Sequence, residues 1–374
     1  MFFSAVPLLF ILMLSSNVMA MEYKGNSAED FQRFIQHHQL DWPKPKKIDY
    51  FQSDDRKARI RYAHWTPAGP TTGTVIHFNG RTEFIERNIY SYKDLLEKGY
   101  EIWTLDWRGQ GLSSRNLSDK QKHDIQSFDD YLSDANHFIE QIIRLKDKDG
   151  KKILLAHSMG GQIALRYLLQ PQATKFDYAV LSSPLLQVPG DNNILRKGNL
   201  LKKSVVGSSC VITKSPTWQS DFQEGEACRL LNTKTDIANA LTHPIESKQY
   251  SNDARKLAEI NCLIESSINA NGIDAPDLRL ACPTSNWLSA AFDSTDITQD
   301  QAANLQTPIM IIRADPDNAV VPEAQDSFCK KAQNCQVITA PKFGKIQPGH
   351  ELLIEIEPIR KFFFDQFDNF VKQR

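Results

Sequence analysis

The stretch Lys152-Ile153-Leu154-Leu155-Ala156-His157-Ser158-Met159-Gly160-Gly161 decides how this chain is read. An apolar run of strand length ends at a serine, and a segment of helical pattern over residues 161–169 follows at once. A chain that turns from strand to helix within a few residues tolerates only small side chains around the apex. Ala156, two before Ser158, and Gly160, two after it, meet that need. The turn holds the hydroxyl of Ser158 out of the backbone, as a nucleophile elbow requires. The pattern departs from G-x-S-x-G by one methyl group, at Ala156.

Working outward, the same rhythm recurs on both sides. Residues 59–65, 74–78, 101–105, 152–156, 178–181, 309–312 and 336–339 read as strands, and 88–98, 127–145 and 161–169 as helices. Gly99 stops the first of these helices. Continuous apolar strands alternating with helices predict a mostly parallel sheet covered on both faces. One stretch breaks the alternation. The roughly 115 residues of 186–300 are too long for an ordinary connection and are read as an inserted cap. Within it, Trp287–Phe292 predicts an amphipathic helix whose apolar face either lines a substrate channel or is plain core. Residues 21–58 are polar with scattered aromatics and are expected to form an irregular lead-in. The core is then 59–185 together with 301–374.

A serine hydroxyl is a weak nucleophile until a base takes its proton, and the base needs an acid to orient it. The sequence offers Asp317 in Asp315-Pro316-Asp317-Asn318 after the 309–312 strand, and His350 in Gly349-His350-Glu351 after the last strand. Both fall on loops at strand ends, where open α/β sheets hold their sites. Asp315 is the competing acid. Asp315-Pro316-Asp317 begins like a calcium loop, but Ala319 and Val320 stand where ligand and glycine belong, so no metal is expected. His37, His38, His64, His123, His137 and His243 lack ligand spacing and read as structural. His77 and His157 read as hydrogen-bonded supports.

Composition sets the outer limits. The chain has 374 residues, 41% hydrophobic and 24% charged, the usage of a folded protein. Its 44 basic and 45 acidic residues nearly cancel, which leaves no field to hold a nucleic-acid backbone, so no nucleic acid is expected. Residues 1–20 carry no charged side chain and end Val18-Met19-Ala20, the pattern of a secretory signal peptide, with an uncleaved anchor as the other reading. Six cysteines, all after residue 209, fit an exported chain that is periplasmic or secreted. Pairing between sequence neighbours is expected, Cys210 with Cys228, Cys262 with Cys282 and Cys329 with Cys335, each closing a local loop.

Four segments in order, Asn79-Gly80-Arg81-Thr82-Glu83, Asp106-Trp107-Arg108-Gly109-Gln110-Gly111, Ala156-His157-Ser158-Met159-Gly160-Gly161 and Gly349-His350-Glu351, resemble the α/β-hydrolase superfamily. Within it they are similar to the bacterial lysophospholipase and monoacylglycerol lipase branch, which is related to serine aminopeptidases. The resemblance implies an α/β-hydrolase fold with a lid. It also implies a serine hydrolase in which Ser158 attacks, His350 is base and acid, and Asp317 fixes the histidine. The backbone N–H groups of Arg81 and Met159 match an oxyanion hole, leaving the Arg81 guanidinium to meet a phosphate or solvent. Gly80, His157, Gly160 and Gly161 match its supports. The implied substrate is a lysophospholipid, or else a monoacylglycerol, with membrane contact through the cap and no cofactor. A peptide or thioester bond is the alternative, and Asp221, Glu224 and Glu226 are the acidic residues that would hold a free amine.

Overall fold

The computed structural model describes residues 22–206, 210, 228, 254–271 and 278–372. The signal segment, His243 and the acidic residues Asp221, Glu224 and Glu226 lie outside the described residues. The strands are β1 (Lys47–Gln52), β2 (Arg59–Trp65), β3 (Gly73–Phe78), β4 (Tyr100–Leu105), β5 (Lys151–His157), β6 (Tyr178–Ser182), β7 (Ile309–Arg313) and β8 (Cys335–Thr339). They form one sheet in the order β1-β2-β4-β3-β5-β6-β7-β8. β2 runs against both its neighbours and every other pairing is parallel.

The faces are covered by helices because each central strand is apolar on both sides. On β5, Ile153 and Leu155 enter one core while Leu154 and Ala156 enter the other, and β3 divides Val75 from Ile76 in the same way. Each such fully buried Val, Leu or Ile contributes roughly 1.5–3 kcal/mol by leaving water. The first core is closed by α2 (Ile89–Glu97) and by α9 (Glu357–Lys372), which contributes Phe363, Phe364, Phe367 and Phe370. The second is closed by α3 (Asp129–His137) and α4 (Met159–Leu168). The helix expected over 127–145 changes winding: from Phe138 to Ile143 it is a π-helix, which carries Phe138, Ile139 and Ile143 into the core.

The lead-in differs from the irregular segment expected. Ser27 caps α1 (Ala28–His37) by accepting from the Asp30 N–H, and β1 adds an edge strand to the sheet. Phe31, Phe34, Ile35 and His38 repeat at helical spacing and are all buried, a stripe that the polar residues between them conceal. Tyr23 is buried as well. Its hydroxyl meets Glu86 and Arg61, and the fully buried Arg61 guanidinium also reaches Asp106 at 3.2 Å. A charge removed from water needs such partners, and Asp106 gains two more from the N–H groups of Ile85 and Leu112.

Between β6 and β7 lie α5 (Asn193–Val206), α6 (Ala254–Asn271) and α7 (Ser285–Gln301). α7 packs on α4, where Gln162 donates to Ser294 and Thr298. Trp287, Leu288 and Phe292 are buried in the core shared with β3 and β5, so the apolar face of that helix is core. The remaining helix, α8 (Pro322–Lys331), joins β7 to β8.

Two of the three expected disulfides are corrected. Cys210 pairs with Cys282 and Cys228 with Cys262, while Cys329 pairs with Cys335 as expected. The cause is spatial. Residues 281–284 run along 121–123 through three backbone hydrogen bonds, and Thr284 bridges to Cys210, which brings Cys282 to Cys210 and away from Cys262. Among the described residues no helix is long and apolar enough to cross a membrane.

Candidate active site

Ser158 stands at the junction of β5 and α4 with φ 51° and ψ −118°, a left-handed conformation that costs a non-glycine residue on the order of 1–3 kcal/mol. The turn is held by its own backbone. Ser158 donates its N–H to Ser182 O at 3.0 Å, and its carbonyl accepts from Gly161, Gln162 and Leu185. Gly160 and Gly161 are there for want of space. A Cβ on Gly160 would lie 2.1 Å from Phe78 O, and one on Gly161 would lie 2.6 Å from Pro184 Cβ. Ser158 is only half-buried, and Ala156, fully buried, fills the position of the missing first glycine.

Asp317 follows β7 and His350 follows β8. His350 Nδ1 lies 2.7 Å from Asp317 Oδ2, while Asp317 Oδ1 accepts from the N–H groups of Ala319 and Val320. Burial pushes the Asp317 carboxyl up, but the histidine and the two amides outweigh it and hold the pKa below the usual range. The competing Asp315 is half exposed and faces Arg313 at 4.0 Å. His350 is buried, and its ring centre is 4.7 Å from that of His157, the residue before Ser158. Glu351, next in the chain, is gripped by both ends of the Arg87 guanidinium at 2.8–3.2 Å.

The loop after β3 begins at Asn79, whose side chain donates to Leu105 O and accepts from Asn88. Gln110 donates to Gly80 O and Glu83 O, so the Asp106–Gly111 segment holds this loop in shape. The buried Glu83 accepts from the Gly80 N–H and faces His157 Nδ1 at 2.9 Å. A Cβ on Gly80 would sit 2.8 Å from that same His157 nitrogen. Met159, first residue of α4, presents one of the N–H groups that a helix start leaves without an intrahelical acceptor. The guanidinium of Arg81 is committed elsewhere than expected: it donates to Ala281 O at 2.8 Å and lies over Trp287. That contact ties the loop to the segment before α7.

Sequence reasoning placed Ser158, Asp317, His350, Gly80, Arg81 and Met159 after strands, and they lie on the segments that follow β3, β5, β7 and β8, at one end of these parallel strands. It passed over Glu83, Arg87, Gln110 and Glu351 as members of the site. Only the order of Glu83 after Gly80 and of Glu351 after His350 hinted at them. The other histidines have structural partners: His64 with Glu101, His77 with Tyr92, His123 with Tyr131 and His137 with Asp54. Burial pulls His77 down to about 4, so it is neutral at pH 7. His38 lies 3.7 Å from the sulfur of Cys262, a sulfur already bonded to Cys228.

The chain is similar to known hydrolases in sequence and in fold. The chain is 24% identical over 256 residues to lysophospholipase L2 of Escherichia coli (strain K12), covering 68% of this chain and 67% of that protein. It is 26% identical over 333 residues to a probable lysophospholipase L2 of Haemophilus influenzae, covering 86% and 91%. In structure it is similar to a soluble variant of monoglyceride lipase from Saccharomyces cerevisiae, with TM-score 0.62, 17% identity and coverage of 88% and 95%. The family model described as serine aminopeptidase, S33, matches residues 69–357, most of the chain. With its mostly parallel eight-stranded sheet, the chain belongs to that hydrolase family and has the α/β-hydrolase fold.

Proposed function

We propose that this carboxylic ester hydrolase is a lysophospholipase, in which Ser158, His350 and Asp317 form the catalytic triad. The observation that carries the mechanism is the 2.7 Å contact of His350 Nδ1 with Asp317, at the end of the parallel strands that also carries the strained Ser158. His350 Nε2 takes the proton of Ser158 Oγ as that oxygen attacks the acyl carbonyl. The oxyanion receives the N–H groups of Arg81 and Met159, each worth on the order of 3 kcal/mol in the transition state. Collapse expels the glycerol alcohol, which takes the proton from His350. Water then repeats the sequence on the acyl-serine and releases the fatty acid.

The substrate class rests on the lysophospholipase relatives, which match over much of the chain. A monoacylglycerol is the second substrate, supported by the fold likeness to monoglyceride lipase. The family description itself favours a peptidase reading. Fatty-acid release from a lysophospholipid and a monoacylglycerol of equal chain length, compared in the protein and in Ser158→Ala, separates these. Release that is faster from the phospholipid and absent in the variant is expected; release retained in the variant refutes the mechanism.

Residues 186–300 are proposed to cover the acyl chain and to meet the membrane through α5. Of the three large hydrophobic side chains exposed among the described residues, two are on this helix, Ile194 at 85% and Leu200 at 61%. At 100° per residue they flank the exposed Lys197, opposite Leu195, which packs on the core, and the buried Asn199. The helix sequence holds no acidic residue and four basic ones, of which Arg196 is bound by Asp191 and Asp296; Lys197, Lys202 and Lys203 are left as residues attracted to anionic lipid at about 1 kcal/mol each near the surface. Three disulfides and the apolar leader support export, to a periplasm or the exterior.

A further inference from the structure

We propose that His157 works as a buried imidazolium which, paired with Glu83, braces the oxyanion loop against the backbone of His350, making it a positioning residue for the ester hydrolysis above. The proposal rests on that reading of the site. Its starting point is which atoms surround the ring. His157 is 2% exposed. Its Nδ1 faces a Glu83 carboxylate oxygen at 2.9 Å, and its Nε2 faces the main-chain carbonyl oxygen of His350 at 3.3 Å. Both neighbours are acceptors. The Nδ1 contact with Glu83 has ion-pair distance without hydrogen-bond alignment, so the pairing is one of charge: Glu83 is a fully buried carboxylate, and the imidazolium is the cation that lies against it.

The pair connects three loops that the chemistry needs in register. Glu83 holds the Gly80 N–H, which is the peptide just before the one that presents the Arg81 N–H. His157 is the residue before Ser158. The carbonyl it faces belongs to His350. Charge is balanced locally: Glu83 is the carboxylate opposite the ring, His77 on β3 is neutral, and Glu351 beside His350 is neutralised by Arg87. Burial disfavours the His157 cation, yet Glu83 outweighs it and raises the pKa above the ordinary value, while Glu83 itself is held down at about 2. A histidine whose pKa is raised by folding keeps its pairing energy below its unfolded pKa and loses it as pH rises through the folded one. The brace is therefore complete on the acid side of the ordinary histidine pKa and is released as pH rises through the folded one.

The first test uses the unaltered protein. Ring-nitrogen NMR of the histidines, assigned through the backbone, is expected to show His157 protonated on both nitrogens at pH 7; a single protonated nitrogen overturns the proposal. The second test is the pH profile of kcat and KM on p-nitrophenyl butyrate for the protein, Glu83→Gln and His157→Gln. Misplacing an oxyanion donor is expected to lower kcat by roughly tenfold to a hundredfold in Glu83→Gln, with KM held within about twofold. In the same variant the alkaline limb of kcat moves to lower pH, and in His157→Gln that limb disappears. A structural role alone would scale the profile down and leave the limb in place, and that result refutes the brace. If the protein releases no fatty acid from any monoacyl ester, the substrate reading fails, and the ring-nitrogen spectrum still decides the brace.

Discussion

Replacing Gly160 with alanine adds one methyl carbon to the first turn of α4, and the structure shows where it would go. It would lie 2.1 Å from Phe78 O and 2.6 Å from Asn79 O. Ordinary contact begins near 3.4 Å, so α4 and the end of β3 must part by about 1 Å. Neither obstacle is a flexible side chain. Phe78 is the last residue of β3, paired with both β4 and β5, and the Asn79 carbonyl also accepts from Trp107 Nε1. Overpacking of this kind costs typically 1–3 kcal/mol of stability. The larger effect is on catalysis, because the displaced backbone leads directly into Gly80 and Arg81. A shift near 1 Å at a positioned group costs on the order of a hundredfold in rate. We expect Gly160→Ala to fold with a lowered Tm and to lose about two orders of magnitude in kcat on a soluble ester. Gly69→Ala, whose added carbon has nothing within 4 Å, is the control and should change neither. A Gly160→Ala protein with kcat within twofold of the parent would refute the argument that this contact sets the oxyanion loop.

Asp317→Asn should lower kcat by about four orders of magnitude at neutral pH, by offering His350 a donor where it needs an acceptor, while Asp315→Asn stays within about twofold; equal losses on ester turnover would contradict the assignment. Peptide mapping without reduction should recover Cys210–Cys282, Cys228–Cys262 and Cys329–Cys335. Loop closure over 72 residues is worth about 4 kcal/mol and over 6 residues about 2, so Cys210→Ser with Cys282→Ser should lower denaturation midpoints more than Cys329→Ser with Cys335→Ser. Ile194→Asp combined with Leu200→Asp should weaken sedimentation with phosphatidylglycerol vesicles by roughly tenfold or more and leave turnover of a soluble ester unchanged, since each lost apolar contact is worth on the order of 1.5 kcal/mol or more.

The parallel part of the sheet was legible because its strands are apolar on both sides, and an uninterrupted run such as Ile153–Ala156 has few alternatives. Ser158 and Asp317 were legible as candidates because they follow the apolar strands β5 and β7, whereas His350 follows the half-exposed edge strand β8 and stood out by its Gly349-His350-Glu351 setting. What escaped the sequence depended on partners far along the chain. Phe31, Phe34 and Ile35 form a stripe only once α1 has a surface to cover, and β1 is an edge strand whose half-exposed residues repeat nothing that periodicity can detect. The cysteine pairs follow the path of residues 281–284 beside 121–123, which no spacing between cysteines encodes. Glu83 reads as a surface residue in the sequence. It is buried against the ring of His157, 74 positions later in the chain.

The order in which the site is supplied has a consequence for a chain under synthesis. β3, β5 and β6, with the loop carrying Arg81 and the turn carrying Ser158, are complete by residue 182. The sheet resumes only at Ile309, although β7 pairs directly with β6. Asp317 and His350 emerge after that, His350 within the last 25 of 374 residues. A nascent or truncated chain therefore possesses its serine long before it possesses a base. With the proposed triad, such a chain lacks both its base and its acid until β7 and β8 have joined the sheet.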